Sequence, residues 1–392
     1  MNRLEKVGET IRAALNEIAE EAPEWLVERS PRIWYERYGR RVENYQFPKT
    51  DKARQELGNS MGEDGYVLIE LIEEEKEITW LKELESVKVL KQILGQEYEK
   101  SPKVKMKEVK ELKSAGNLIV SPYDVEARWT TKRGQEWTGY KVHITETCEK
   151  ESPNLITQVL TTVATTPDNK MLNEIHKKLE EKELLPEEHL ADKGYIDSEI
   201  LVTGQKKYQV KVIGEITQDS SWQAKEAKGF DKAHFLIDWE KEQITCPKGR
   251  QSVKWKETKH PRTIGAIKVK FAQNDCKECQ SQSLCTKSSE GRELFLLPKE
   301  QHLALYQRKV EQNTLEFREK YKLRAGIEGT ISQAVSRCDI HYSRYIGLAK
   351  THLQMILTAV SINLIRLAQW FSLTPRAKTK FSSFAKLQPT FS

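Results

Sequence analysis

His189-Leu190-Ala191-Asp192-Lys193-Gly194-Tyr195 is the stretch on which the fold turns. Its first residues read as a short apolar strand, and Lys193-Gly194 reads as the turn that ends it. An acid at the C-terminal end of such a strand sits where open α/β sheets place their active-site groups. The alternative for Asp192 is an ordinary turn aspartate. Upstream, Tyr140 to Cys148 alternates apolar and polar residues as a half-buried strand does, and Leu155 to Val163 is its β-branched hairpin partner. Thr166-Pro167-Asp168 starts a helix with an apolar face of Met171, Leu172, Ile175 and Leu179, which Pro186 ends. Downstream, Tyr208 to Ile216 reads as a further strand. The alternation predicts an α/β layer.

Farther out, residues 1–22 predict a helix with Leu4, Val7, Ile11, Leu15 and Ile18 on one face. The pattern runs from the fourth residue with no cap before it. A domain seldom begins mid-helix, so the chain reads as the downstream part of something longer. The rest of a helical region, 1–115, includes an acidic run from Glu70 to Glu77 and a lysine-rich stretch, Lys100 to Lys113, that reads as an exposed linker. The α/β core follows over 116–228. Residues 229–298 form a β-rich insertion holding four of the six cysteines, with β-like runs at Phe235–Trp239, Ile267–Phe271 and Leu294–Leu297. Residues 299–345 are the helical end of the core. Residues 346–392 are a C-terminal helix and a basic tail, in which Arg366, Arg376, Lys378, Lys380 and Lys386 have no acid among them.

The chain of 392 residues carries 64 basic and 58 acidic side chains, a formal charge of +6, which permits nucleic-acid binding without establishing it. Nine tryptophans and 38% hydrophobic residues argue against a wholly disordered chain. The longest apolar-rich stretch, Leu353 to Leu367, is broken by Ser361, Asn363 and Arg366, so no membrane partner is expected. The N-terminus has no signal-peptide apolar core, which points to the cytoplasm.

In a reducing compartment, clustered cysteines read first as metal ligands. Cys276-x-x-Cys279 with the outlying Cys246 and Cys285 fits a tetrahedral four-thiolate Zn²⁺ site. The alternative is a reduced, metal-free patch. Cys148 and Cys338 read as core residues.

Tyr321, Arg324 and Glu328, at spacings of three and four, share one helical face. A carboxylate there can reach a metal, while Arg324 holds a phosphate or orients the carboxylate. The competing reading is a surface ion pair. Trp34 to Tyr45 interleaves aromatic and basic residues, which suits either phosphate contact with stacking or plain interhelical packing. His143 reads as a strand residue.

Asp192-Lys-Gly-Tyr195 followed by Tyr321-x-x-Arg324-x-x-x-Glu328 resembles the second and third acids of a DDE-type insertion-sequence transposase. Ser121-Pro-Tyr-Asp-Val-Glu-Ala-Arg128, Gly139-Tyr-Lys-Val-His143, Cys246-Pro-Lys-Gly249 and Gly347-Leu-Ala-Lys-Thr-His-Leu353 extend the resemblance over most of the chain. The Cys246 turn resembles a zinc knuckle. The family's basic residue seven places after the Glu is not met: that position is Val335, with Arg337 nearby.

The resemblance implies a ribonuclease-H-like core in which two Mg²⁺ (or Mn²⁺) ions between three carboxylates drive cleavage and transfer of DNA strands at the terminal repeats of a bacterial mobile element. Asp192 and Glu328 would hold the metals, Arg324 and Tyr321 would position phosphate or Glu328, and Lys350 and the basic tail would contact DNA. The family's first acid lies in an Asp-Ser-Thr strand that this sequence lacks, just upstream of a helix resembling Asn2–Thr10. The core is therefore expected to lack its first strand and the chain to be N-terminally truncated, with Asp124 the fallback third carboxylate. A homodimer, or completion by an upstream transposase segment, follows from the same resemblance. The rival reading is an inactive DNA-binding remnant.

Overall fold

The computed structural model describes residues 1–100, 102–149, 151–217, 219, 221–225, 229–260, 263–374 and 383–384. Arg376, Lys378, Lys380 and Lys386 of the basic tail lie outside the described residues. Helices and small sheets mix throughout, and the chain divides into two units. One comprises residues 1–145, 153–166 and 331–392; the other comprises 146–152 and 167–330.

The first unit starts with helices α1 (Arg3–Glu21), α2 (Pro23–Arg29), α3 (Arg32–Tyr38), α4 (Asp51–Glu74) and α5 (Glu85–Glu97). The expectation of an uncapped start is wrong. Asn2 accepts from the Glu5 N–H at 2.9 Å, and Glu5 returns the bond to the Asn2 N–H at 2.8 Å, a complete capping box. The residue types were visible; their reciprocal reach was not weighed. Val7, Ile11, Ala14 and Ile18 of α1 are fully buried with Leu68, Ile72, Leu90 and Leu94. Gly62 on α4 is there for close approach: a Cβ would stand 2.4 Å from the Tyr98 ring, whose hydroxyl donates to Gly58 O at 2.7 Å.

At the centre of these helices lies a charge. Glu97 is completely buried and accepts from Lys6 Nζ at 2.6 Å and Arg3 Nε at 2.7 Å. Burial pushes its carboxyl up, yet Lys6, helped by Gln96 and Arg3, holds it below the ordinary glutamate range. Strands β1 (Tyr98–Glu99) and β2 (Lys105–Met106) pair antiparallel just beyond. Lys100 to Lys113 is thus no free linker, because Val104 and Met106 pack on the helical core.

Strands β3 (Arg128–Lys132), β4 (Gln135–Glu146) and β5 (Ile156–Val163) form a sheet in that order. His143 is buried in β4 beside the Thr162 hydroxyl at 3.2 Å, as a strand residue.

The second unit carries a parallel crossover. Helix α6 (Met171–Glu180) precedes strand β6 (Glu188–Leu190), helix α7 (Ser198–Tyr208) and strand β7 (Lys211–Ile213), and β6 and β7 pair parallel. A helix between parallel neighbours is the α/β unit that the alternation predicts. Two details differ. Helix α6 stops at Glu180, well before Pro186. Tyr208 ends α7 rather than opening a strand, because Gln209 turns left-handed (φ 56°) to reverse the chain into β7.

Beyond the short helix α8 (Trp222–Lys225), strands β8 (Leu236–Asp238) and β9 (Gln243–Thr245) make a hairpin. Strands β10 (Ser252–His260), β11 (Thr263–Phe271) and β12 (Glu293–Leu296) make an antiparallel sheet, with α9 (Gln273–Lys277) and α10 (Gln282–Cys285) between the last two. Helices α11 (Lys299–Glu311), α12 (Leu315–Lys322), α13 (Gly326–Cys338) and α14 (Leu348–Phe371) follow. By length and composition α14 is apolar enough to cross a membrane. Its interrupting polar residues are, however, committed to protein. Asn363 pairs with both backbone groups of Ile156 at 2.8 and 2.9 Å, and Arg366 donates to Asn154 O at 2.6 Å.

Replacing Lys6 with Met leaves Glu97 buried without its closest cation. We expect a loss of about 3–5 kcal/mol in urea unfolding, against about 1 kcal/mol for Asn2→Ala at the cap. The depressed Glu97 carboxyl also makes part of the wild-type stability present above the ordinary glutamate pKa and lost as pH falls below it through the native value. A Lys6→Met loss no larger than the cap's would show that the pair is not structural.

Candidate functional site

Glu215, just beyond the parallel pair, shares a cleft with α12. Asp192 follows β6 and is exposed; Glu215 follows β7. The strand carrying Asp192 is seated by a histidine pair. His176 Nε2 lies 3.1 Å from His189 Nδ1, both side chains are buried, and burial pulls their pKa values down to about 4 and about 3. Both are therefore neutral at pH 7. Gly194 lies between two acids: a Cβ on it would stand 3.6 Å from Asp168 Oδ2 and 3.8 Å from Asp192 Oδ2. Burial first, then those two carboxylates, raises the pKa of the neighbouring Tyr195.

Helix α12 continues through a 3₁₀ turn, Leu323–Ala325, into α13. This keeps Tyr321, Arg324 and Glu328 on one side, as their spacing predicts. Arg324 Nη2 contacts Glu328 Oε1 at 3.1 Å, and the guanidinium lies 5.4 Å from the Tyr321 ring centre. The Glu328 side chain is 66% exposed, so this pair alone is worth little stability. Tyr321 ties the two halves of the site together. Burial raises its hydroxyl pKa, Arg324 opposes, Asp192 and Glu215 add to the rise, and the Glu215 backbone bonds to it. Phe317 stacks on Tyr321 at 5.7 Å between ring centres. With Glu215, Arg318, Lys322, Arg324 and Ala325 these rings line an open cleft of about 340 Å³. Three cations, two stacked rings and one acid suit a chain of phosphates carrying flat bases.

Asp124 is bound by several donors. It lies in the first unit and is held as a backbone organiser. Its Oδ1 accepts from the Ala127 N–H at 3.1 Å and the Tyr140 hydroxyl at 2.7 Å, and its Oδ2 accepts from the Gly347 N–H at 3.2 Å. A carboxylate so engaged has little left for a cation. The aromatic-basic run at 34–45 is also largely structural: Trp34 and Tyr38 are buried, and Arg37 pairs with Asp64 at 2.6 Å. Lys350, in the first turn of α14, belongs to the first unit.

Sequence reasoning missed Asp168 and Glu215. Asp168 read as a helix start. Glu215 fell inside a strand drawn too long, although a strand ending at Ile213 would have put it at the same edge as Asp192. Arg308 was missed as well. Its side chain is 7% exposed and donates to the carbonyls of Val212 at 2.7 Å and Gly214 at 3.2 Å.

Residues 245–368 match the family model of a transposase DDE domain. That segment is less than half of the chain; it contains the four clustered cysteines, Tyr321, Arg324 and Glu328, and it excludes Asp192. The match supports a DDE-type transposase. No curated protein and no solved structure matches the chain.

The histidine pair predicts an acid limit. Both native pKa values lie below the ordinary 6.5, so the unfolded chain binds more protons between 6.5 and about 3–4. Stability is then complete above 6.5 and falls as pH drops through that window. Denaturation midpoints at pH 7, 6, 5 and 4 should show the slope, and a His176→Leu/His189→Leu variant should flatten it. An unchanged slope would assign the acid loss elsewhere.

Proposed function

We propose that this chain, whose residues 245–368 carry the match to a transposase DDE domain, engages DNA along the cleft of α12 and the turn after it and acts on its phosphodiester backbone beside Asp192 and Glu328. The observation that carries this reading is the cleft in which Phe317, Arg318, Tyr321, Lys322 and Arg324 face Glu215 at the end of β7, with Arg324 over the Tyr321 ring. Arg318 and Lys322 would neutralise phosphates, and the Phe317–Tyr321 stack offers a face to an unpaired base. Arg324 would orient Glu328. The DNA in question is the terminal repeats of an insertion element, and the parallel crossover of β6, α7 and β7 is the part of a ribonuclease-H-like core that would present Asp192.

The divalent ion the resemblance implies needs hard oxygen donors, and Asp192, Asp168, Glu215 and Glu328 are of that kind. Among the described residues, however, no three His, Cys, Asp or Glu side chains form a metal-holding group. The acids as arranged do not fit a two-ion centre. The Arg324–Glu328 contact favours a second reading, DNA binding without cleavage, in which the carboxylate only steers the guanidinium.

Duplex and single-stranded oligonucleotides carrying the element's terminal repeat separate the two readings. Binding should weaken with salt, and Arg318→Ala/Lys322→Ala should reduce the slope of log affinity against log salt by about two. Under the first reading, nicking in the presence of Mg²⁺ or Mn²⁺ is lost in Asp192→Asn and Glu328→Gln while affinity persists. Binding without nicking supports the second. Salt-independent binding, or binding indifferent to Arg318 and Lys322, removes the cleft from both.

A further inference from the structure

The β-rich part of the second unit has a small core. Phe235, Ile244, Ile267, Val269, Phe271, Leu294 and Leu296 are its buried hydrophobic residues, with Cys246, Cys276 and Cys285 packed against them. A core of that size is one that proteins commonly reinforce with a staple. The four cysteines that could provide it come from three separate pieces of chain. Cys246 opens a tight turn after β9: Gly249 N–H donates to Cys246 O at 2.9 Å and Cys246 N–H to Arg250 O at 2.8 Å, with Gly249 at φ +79°. Cys276 lies in α9, and Cys279 follows with its N–H on Cys276 O at 3.3 Å. Cys285 ends α10. None of the four is in a disulfide.

All four cysteines line one cavity of about 30 Å³. They ring it rather than already meeting at a point, since no three described side chains stand as a finished ligand group. Two features show what the ring suits. The Arg292 N–H points at Cys276 Sγ at 3.4 Å, a bond that a thiolate accepts better than a thiol. Lys248, Arg250 and Arg292 also line the cavity, with Asp275 the acid among them. Three cations and one anion leave an excess of two positive charges around four neutral thiols. A zinc ion bound by four thiolates has two negative charges, which cancels it.

We propose that Cys246, Cys276, Cys279 and Cys285 bind one Zn²⁺ as a tetrathiolate site that closes the cavity and locks the β9 turn to the α9–α10 segment. Zinc is the matching ion because thiolates are soft ligands and the ion accepts a tetrahedron without redox change. Binding forms four Zn–S bonds and releases four thiol protons to solvent, so affinity rises with pH. The site is structural: four protein ligands leave no open position for a substrate.

The test uses the full chain purified under reducing conditions without chelator. Elemental analysis should find one zinc per chain. Replacement by Co²⁺ should give the intense visible absorption of tetrahedral cobalt with a sulfur-to-cobalt charge-transfer band. Cys276→Ser/Cys279→Ser should abolish both and lower the melting temperature, whereas Cys148→Ser/Cys338→Ser should change neither. If the double variant does not fold, Cys285→His serves in its place: a Cys₃His set should keep the metal with a blue-shifted charge-transfer band. Absence of zinc and of the cobalt spectrum in the wild type overturns the proposal, as does a Cys276–Cys279 disulfide in the protein as purified. Metal retained in full by the Cys276→Ser/Cys279→Ser variant overturns it too.

Discussion

Arg308 is the constraint on which the candidate site depends. Its guanidinium is buried in the second unit and donates to two carbonyls at the end of β7, Val212 and Gly214. It is also 3.2 Å from Glu311 and 5.3 Å from the centre of the Phe317 ring. Burial weakens its hold on the proton and Glu311 opposes that. A buried charge tolerates little displacement, because any lost partner leaves it uncompensated. One side chain thus fixes the end of the strand that delivers Glu215 and the start of the helix that delivers Tyr321 and Arg324. Gln312 repeats the link one turn on, accepting from the Ile216 N–H at 3.1 Å.

The acids of this chain divide into two kinds by what holds them. Glu97 and Asp124 are bound by several donors each and do architectural work in the first unit. Asp192 and Glu328 are exposed at their helix and strand ends, where a ligand can reach them. Such exposure contributes nothing to stability, which is what a group available for chemistry or recognition requires. Trp25 shows the opposite use: its indole N–H is tied to Glu75 at 2.6 Å, and the ring is removed from any binding role.

The cysteine-bearing sheet solves a different problem. Its outer strand β12 has only 4 residues, and β10 and β11 carry many lysines, so little apolar surface is left to bury. Lys268 pairs with Glu293 across the sheet at 3.0 Å, a half-buried contact of small worth. The thiol-lined cavity lies at the end of this sheet, where cross-linking would count for most.

Much of this was legible in residue types and spacing. Period-two alternation marked β4 and β5, a β-branched run needing no partner to be recognised. The face of Leu4, Val7, Ile11 and Ile18 marked α1, and Tyr321, Arg324 and Glu328 share a side because helical geometry is local. The place of Asp192 at a strand end, and the grouping of Cys246, Cys276, Cys279 and Cys285, were likewise readable. Tertiary structure alone decided the rest. Asp124 became a backbone organiser because Tyr140 and Gly347, remote in sequence, fold onto it. Asp168 stands beside Asp192 because the turn that opens α6 folds against the turn that follows β6. Local preference is written over a few residues of chain. Which carboxylate is spent on the fold and which is left for chemistry depends on partners that only packing supplies.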